Sequence, residues 1–177
     1  ILTTTKDISE KDGIKDGLVE EFYHLSFFEK IRGKKPKIRS IKHYKNGKED
    51  GLWEEFYENG QLENRDNYKD GELHGLCEYF YENGQLGQRV NYINGKEHGV
   101  FEEFHENGQL LTKGNFKHGK EHGLFETYKD NGLLDNSGNY KNGKRVGDWK
   151  VYNKKGEDIS NSFSEDFYEN GQLKIRG

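Results

Sequence analysis

The chain has 177 residues, of which 30% are hydrophobic, 14% aromatic and 34% charged, and its formal net charge is −4. This composition is close to that of disordered chains, but the aromatic content and the single proline favour a thin, elongated fold with regularly placed aromatic side chains. The negative charge gives the molecule as a whole no attraction to nucleic acid or anionic lipid. A single cysteine, Cys77, excludes an internal disulfide and a multi-cysteine metal site.

Residues 1–40 are predicted to form an irregular first repeat with a basic insertion. Gly17 and Gly51 hold equivalent places, but they lie ten residues further apart than one unit of the pattern that follows. The insertion is either a small basic patch for phosphate or an acidic partner, or a solvated irregular loop, as most charge runs are. Its basic residues are Lys30, Arg32, Lys34, Lys35, Lys37 and Arg39.

Residues 41–152 repeat with a period of 24 residues. The hexapeptide YENGQL at 57–62 returns at 81–86 and, as HENGQL, at 105–110. Three glycine columns and two aromatic columns keep the same step. Repetition of this quality predicts an array in which each unit leans only on its neighbours. One of the glycine columns is Gly51, Gly75, Gly99, Gly123 and Gly147.

Each unit is predicted to be a β-hairpin, because Asn-Gly pairs separate short segments rich in Tyr, Phe, Leu and Glu. Asn-Gly suits a type I′ turn, whose two central residues both need positive φ. If every loop is such a two-residue turn, Tyr57 pairs with Leu62 and Tyr68 with Leu73. Paired residues share a face of the sheet.

The same register places Gly114 opposite Gly123 and Gly138 opposite Gly147. Paired glycines permit sharp curvature of a sheet. The predicted fold is therefore all-β, an elongated, curved, single antiparallel meander of β-hairpin repeats.

One face of this sheet is predicted to be the better covered, with Leu62, Tyr68, Cys77 and Tyr81 on it. A single bulge would exchange the two faces, because the period of a strand is two. The repeated aromatic residues either act as anchors for a partner or only cover the sheet and its bend. The candidate partner-binding residues are Trp53, Tyr68, Tyr92, Phe101, Phe116, Phe125, Tyr140 and Trp149.

Residues 153–177 are predicted to be a degenerate last repeat, so that residues 1–177 form one continuous array. The pattern restarts at Phe167, the hexapeptide returns at 168–173, and the chain ends at Gly177 in the middle of a predicted strand. We expect either that the natural chain continues or that this end is frayed. Exposed strand edges at both ends could pair two chains edge to edge as a homodimer.

Two columns of polar residues are candidates for a metal site or for acid–base catalysis. Histidines one repeat apart lie about 9–10 Å apart, too far for one zinc, whose ligands lie about 2 Å from the metal. A carboxylate that is identical in every repeat has no distinct environment for acid–base catalysis and forms an acidic stripe or a docking strip for a basic partner. We therefore predict no enzymatic activity, cofactor or metal. The columns are His74, His98 and His122, and Glu54, Glu78, Glu102 and Glu126.

The unit N-G-Q-L-x4-N-Y-x2-G-x3-G-x4-(F/Y), as in YENGQLENRDNYKDGELHGLCEYFYENGQL at 57–86, resembles the MORN repeat variant of many bacterial proteins. The resemblance covers residues 41–152 well and both flanks weakly. Proteins of this variant are commonly grouped as YwqK-type antitoxin or immunity-like proteins, and others resemble surface or secreted proteins. The resemblance implies a β-hairpin array that binds other proteins and has no chemistry of its own.

The leading hypothesis is a protein-binding scaffold of antitoxin or immunity type that occludes an unidentified partner protein. One alternative is a cell-envelope or secreted protein that contacts a host or another cell, and a second is a module that binds anionic membrane surfaces. Because the sequence begins at Ile1 without a methionine, we read it as trimmed or processed. It leaves open a cytoplasmic location or, after removal of a leader, a location in the envelope or outside the cell.

Overall fold

The computed structural model describes residues 3–4 and 16–162 and shows one open antiparallel sheet whose strands follow one another in chain order. The prediction of an all-β meander of hairpin repeats is confirmed. The hexapeptide at 168–173 and the restart at Phe167 lie outside the described residues. The strands are β1 Thr3–Thr4, β2 Gly17–Phe22, β3 Ile38–Lys45, β4 Lys48–Phe56, β5 Leu62–Lys69, β6 Glu72–Leu73, β7 Gly75–Phe80, β8 Leu86–Ile93, β9 Lys96–Phe104, β10 Leu110–Lys117, β11 Lys120–Glu121, β12 Gly123–Tyr128, β13 Leu134–Lys141 and β14 Lys144–Val151, with a short helix α1 at Phe27–Ile31 and a 3₁₀ turn at Ser160–Ser162.

The strands of the sheet end along two opposite sides, and each of these sides is called an edge below. At one edge, the hairpins close through two-residue type I′ turns. The first turn residue has φ between 50° and 55° and is followed by a glycine that also has positive φ. Tyr68 pairs with Leu73, as predicted. Successive turns are joined by backbone hydrogen bonds, for example from Gly71 N to Glu49 O at 2.8 Å. The first residues of these turns are Asn46, Asp70, Asn94, His118 and Asn142.

At the opposite edge, the YENGQL segments form wider loops, and the prediction of a two-residue turn there is wrong. In the first loop, Gly60 N donates to Tyr57 O at 2.8 Å and Tyr57 N donates to Gln61 O at 2.9 Å. Only the glycine has positive φ, 92° at Gly60, so the loop is a turn followed by a left-handed residue and a bulge. Leu62 pairs with Phe56 and not with Tyr57.

Hydrogen bonds between successive YENGQL loops explain why the hexapeptide recurs. The first side chain of each loop donates to a backbone carbonyl just before the next loop, 23 residues on. The asparagine at the third position of the first three loops donates in the same way to a carbonyl of the next loop. The first-position bonds are Tyr57 Oη to Phe80 O at 2.8 Å, Tyr81 Oη to Phe104 O at 2.7 Å, His105 Nε2 to Tyr128 O at 3.1 Å and Lys129 Nζ to Tyr152 O at 2.9 Å. The third-position bonds, each 2.9 Å long, run from Asn59, Asn83 and Asn107 Nδ2 to the carbonyls of Glu82, Glu106 and Asp130. This edge is a stack of identical loops.

The predicted pairing of glycines across the sheet is wrong. Lys113 pairs with Glu126, which puts Gly114 beside Phe125 instead of Gly123. A bulge adds residues to the strand after each type I′ turn, and its glycine takes a left-handed φ, for example 86° at Gly123. This bulge adds two residues, so the side chains of the aromatic columns keep their predicted faces, because strand periodicity is two. The predicted face of Leu62 is wrong, because Leu62 pairs with Phe56, which lies on the face opposite to that of Trp53.

The core of this thin molecule lies on one face of the sheet. Cys77 and Phe125 are 6% and 7% exposed there, and Val19 and Val90 are also buried. Among the described residues, the main contacts of each strand are with its neighbours in the sheet, the 3₁₀ turn contacts β14, and there is no second sheet. Side chains of adjacent repeats must therefore cover one another.

Candidate binding surfaces

The aromatic side chains of the core face form a row across the sheet, which we call the aromatic row. It contains all eight candidate partner-binding residues, seven of them half-buried and Phe125 buried. Most of the ring contacts are edge-to-face, a geometry that stabilises aromatic pairs beyond the area they bury. The contacts, as centroid distances, are Trp53–Tyr68 at 5.0 Å, Phe101–Phe116 at 5.4 Å, Phe116–Phe125 at 5.8 Å, Phe125–Tyr140 at 5.0 Å and Tyr140–Trp149 at 5.1 Å.

The size of the residue beside each aromatic ring is matched across the strands. A Cβ atom at Gly114 would lie closer than 3.0 Å to the Phe125 ring, and one at Gly138 equally close to the Trp149 ring. In the repeat where the smaller Cys77 takes the aromatic position, the residue opposite it is the larger Val90. The glycines at 114 and 138 therefore make room for aromatic rings. The predicted register placed them opposite other glycines and so did not indicate this role.

Cys77 and its cross-strand neighbour Asp66 form a polar site within the aromatic row. Burial raises the pKa of the Cys77 thiol to about 12. Burial also raises the pKa of Asp66, while a hydrogen bond with Cys77 acts in the opposite direction and the Glu55 charge reinforces the rise. A thiol with so high a pKa is protonated at neutral pH and is a poor nucleophile. Cys77 is a packing residue, as its place in the repeat predicts.

Replacement of Asp66 by Asn is expected to raise the melting temperature at pH 7. An acid whose folded pKa is raised weakens the fold when it is ionised, so the penalty is complete above the folded pKa and absent below the unfolded pKa of about 3.9. The gain should therefore disappear near about pH 3. Thermal unfolding at both pH values measures it, with Asp148→Asn at an exposed position of β14 as control. A gain of the same size at both pH values would contradict the buried-charge explanation.

Cations lie over both Trp residues of the aromatic row. Lys42 Nζ lies 4.5 Å from the Trp53 ring centroid, and the Arg145 guanidinium carbon lies 4.0 Å from that of Trp149. Such contacts attract a cation to the negative face of the ring. The ends of the row are thus partly covered by basic side chains, whereas its middle is covered only by other rings.

The opposite face carries the predicted columns of carboxylates and histidines. Arg65 bridges Glu54 at 3.0 Å and Glu78 at 3.7 Å, and Arg89 pairs with Glu102. The carboxylates of Glu54, Glu78 and Glu102 are therefore paired with neighbouring arginines. Within residues 3–4 and 16–162, no three His, Cys, Asp or Glu side chains come together as a metal site would require.

The basic insertion contains a feature that the sequence reading missed. Ser26 and Glu29 form a reciprocal capping box that starts α1. The helix is only one turn long and presents Phe27, Phe28 and Ile31 to solvent, 70%, 71% and 67% exposed. The Ser-x-x-Glu spacing at 26–29 is the sequence signal for this helix, and the apolar residues Phe27 and Phe28 lie between its two members.

No helix among the described residues has the length and apolar character needed to cross a membrane. No curated protein sequence matches this chain. Among solved structures, the chain is similar to the crystal structure of TarM, with 15% identity and a TM-score of 0.36, and to a mutant of S. aureus TarM in complex with fondaparinux, α-GlcNAc-glycerol and UDP, with 14% identity and a TM-score of 0.37. Each match covers 61% of this chain and 21% of the TarM chain.

The repeat itself is matched by a known family. The matched segments begin just after a type I′ turn and end within the next one, so each covers one full turn-to-turn unit of the sheet. Three consecutive units of the chain, at residues 49–70, 73–94 and 97–118, match the MORN repeat variant.

Proposed function

We propose that the chain is a non-catalytic repeat scaffold that binds another protein through the aromatic row. The observation that carries the proposal is a row of eight aromatic side chains, seven half-buried and one buried, on a sheet face that no second sheet covers within the described residues. Soluble proteins rarely leave a contiguous apolar surface of this kind without a partner. Tyrosine and tryptophan are also the residues that most often dominate binding energy at protein interfaces.

The rigidity of the row supports this function. Seven of the eight rings contact a ring on a neighbouring strand, and the loops on both edges are fixed by hydrogen bonds between repeats. A partner would therefore meet side chains that are already ordered, so that little conformational entropy is lost on binding. A flat array of such anchors suits the covering of a broad surface. The resemblance of the repeat to the MORN repeat variant, whose members are commonly grouped as antitoxin or immunity-like proteins, leads us to propose that the chain occludes its partner.

A pull-down with matched variants tests the proposal. Trp53→Ala/Phe101→Ala removes two anchors, and Leu52→Ala/Val100→Ala removes their immediate chain neighbours, which lie on the opposite face. We expect a stoichiometric protein to be retained by the wild type and by the second variant. The first variant should lose about 2 kcal/mol or more per anchor, as titration calorimetry with the purified partner would show.

Circular dichroism must show that both variants keep the β-sheet. Tyr68→Lys provides a milder change, since the long side chain can keep its stem on the sheet while it places a charge on the row. Equal loss of the partner by the Leu52→Ala/Val100→Ala variant would show that the aromatic row is not the binding surface. Retention by every variant would lead to the same conclusion, and the aromatic row would then serve only to cover the sheet.

A second candidate function, attachment to an anionic membrane surface, is favoured by the insertion. Three exposed apolar residues of α1 stand beside a run of basic residues, the combination that binds the boundary between headgroups and acyl chains. The net charge of the whole chain opposes this function. The basic residues concerned are Lys30, Arg32, Lys34 and Lys35.

Vesicle sedimentation separates the two candidates. If the insertion attaches to membranes, Phe27→Ser/Phe28→Ser should lower partitioning onto phosphatidylglycerol-containing vesicles by about tenfold or more. Ile93→Ser, at an exposed position far along the sheet, is the matched control and should leave partitioning unchanged. Absence of wild-type binding to these vesicles at low salt would remove this candidate and leave the protein-binding function.

A further inference from the structure

The edge with type I′ turns carries a set of lysines that the sequence reading did not single out. All of them are exposed, and within the described part of the chain none lies within 4.0 Å of a carboxylate oxygen. We call this set the basic turn row. Its members are Lys45, Lys48, Lys69, Lys96, Lys117, Lys120, Lys141 and Lys144.

Three pairs of these lysines are direct cross-strand partners. Lysine faces lysine at 45 and 48, at 117 and 120, and at 141 and 144. Like charges directly opposite each other on a sheet destabilise it. Dissolved salt weakens this repulsion, whereas a partner with a fixed array of negative charges would be attracted to the lysines. The arrangement therefore fits a partner that carries carboxylates at regular spacing.

The YENGQL edge of the same molecule carries such an array, which we call the acidic turn row. The backbone carbonyls of Glu82, Glu106 and Asp130 accept from the asparagines of the preceding loops, and that of Glu58 accepts from Lys37 Nζ at 2.6 Å. The carboxylates of all four residues are exposed and, within the described residues, form no ion pair. Both rows advance by one repeat, two strands, which corresponds to about 9–10 Å. Their spacings match because one repeat generates both. The acidic turn row consists of Glu58, Glu82, Glu106 and Asp130.

We propose that the basic turn row of one molecule binds the acidic turn row of a second copy. Charges of opposite sign then meet at one pitch along both edges, so that several pairs form together although each exposed pair alone would be weak. The net charge of the first part of the basic turn row is neutralised without any ion pair, because Lys45, Lys48 and Lys69 stand among four acidic residues, Glu49, Asp50, Asp70 and Glu72. The contact therefore centres on the later turns, from Lys96 to Lys144, where Glu97 and Glu121 are the nearby acids.

This contact joins two different surfaces of identical molecules, so a bound pair still has one free row of each kind. Heterologous contacts of this type extend into open assemblies unless their rotation closes a ring. The association should therefore increase with protein concentration and fall steeply with salt, since the pairs lie at the surface. The contact does not involve the aromatic row, and it is independent of the function proposed above.

Sedimentation velocity of the full chain tests the proposal. At low salt, about 0.02 M, we expect the weight-average mass to rise about twofold or more with concentration, and to return to that of the monomer at about 0.5 M. Lys117→Glu/Lys120→Glu/Lys141→Glu/Lys144→Glu should abolish the rise, and so should Glu58→Lys/Glu82→Lys/Glu106→Lys. The matched control is Lys45→Glu/Lys48→Glu, in the neutralised part of the row, and it should associate like the wild type.

Mixing the two charge-reversed variants provides the decisive step. One of them then has two acidic edges and the other two basic edges, so the mixture should associate at low salt although neither does alone. Circular dichroism confirms that each variant is folded. A wild type that stays monomeric at low salt overturns the proposal. It is also overturned by association that survives the acidic-row reversal or by a mixture that does not associate, since the partner of the lysines would then not be this row.

Discussion

Gly114→Val is expected to lower the free energy of unfolding by about 3 kcal/mol. A Cβ at this position would approach the Phe125 ring closer than 3.0 Å, a separation that real structures essentially never show. Relief would require the buried ring to leave its place between Phe116 and Tyr140, and overpacking of this kind typically costs about 1–3 kcal/mol. Urea titration followed by tryptophan fluorescence would measure the loss.

A second substitution tests whether the clash is with Phe125 itself. Phe125→Cys alone should cost about 3 kcal/mol through the loss of a buried ring. In the double variant the introduced valine has one cysteine and one phenylalanine as cross-strand neighbours, which is the environment of Val90 between Cys77 and Phe101. The double variant should therefore lose clearly less stability than the sum of the two single variants. Additive losses would show that Gly114 is required for another reason.

Asn83→Ala is expected to lower the free energy of unfolding by about 2 kcal/mol. The side-chain oxygen of Asn83 accepts from Gln85 N and its amide donates to Glu106 O, both at 2.9 Å. Alanine removes both bonds, each of which contributes about 1 kcal/mol. The second bond joins two repeats, so its loss should also speed hydrogen exchange at the loops on either side.

Asn131→Ala is the matched control for this prediction. Asn131 occupies the same place in its loop and accepts from Leu133 N at 3.1 Å, but in the described structure its amide makes no bond to a following repeat. Its replacement should cost about half as much, about 1 kcal/mol. The difference between the two variants isolates the bond between repeats. Equal losses would mean that the loop alone, and not the ladder, explains the recurrence of the hexapeptide.

The sequence predicts the strands because their signals are local. The period of 24 residues, the Asn-Gly pairs and the alternation around Trp53 and Tyr68 determine a meander and its core face. The loop type is not local in this sense. Asn46-Gly47 and Asn59-Gly60 are the same dipeptide, yet the first forms a type I′ turn and the second a wider loop. In the wider loop, Gln61 N donates to Asn59 Oδ1 at 2.8 Å and Asn59 Nδ2 donates to Glu82 O at 2.9 Å, contacts that the dipeptide alone does not encode.

The candidate surface is predictable in position but not in packing. The eight aromatic residues do lie together on one face, as their columns predict. The prediction survived an error in register only because each bulge adds two residues and so preserves the face. The fit of Gly114 to Phe125 depends on that register and could not be derived before it. The exposed Phe27 and Phe28 of the insertion break the repeat, so the period gave no information about them.

The hydrogen-bonded edges have a consequence for the length of the molecule. The three loops at 57–62, 81–86 and 105–110 make their first- and third-position bonds to the corresponding carbonyls of the next repeat. Excision of residues 73–96 would therefore join two surfaces that already fit, and duplication of the same segment would add a unit without altering its neighbours. One repeat corresponds to 72 nucleotides of the gene, at about three per residue. Gain or loss of such a segment should therefore give a folded sheet that differs only in length.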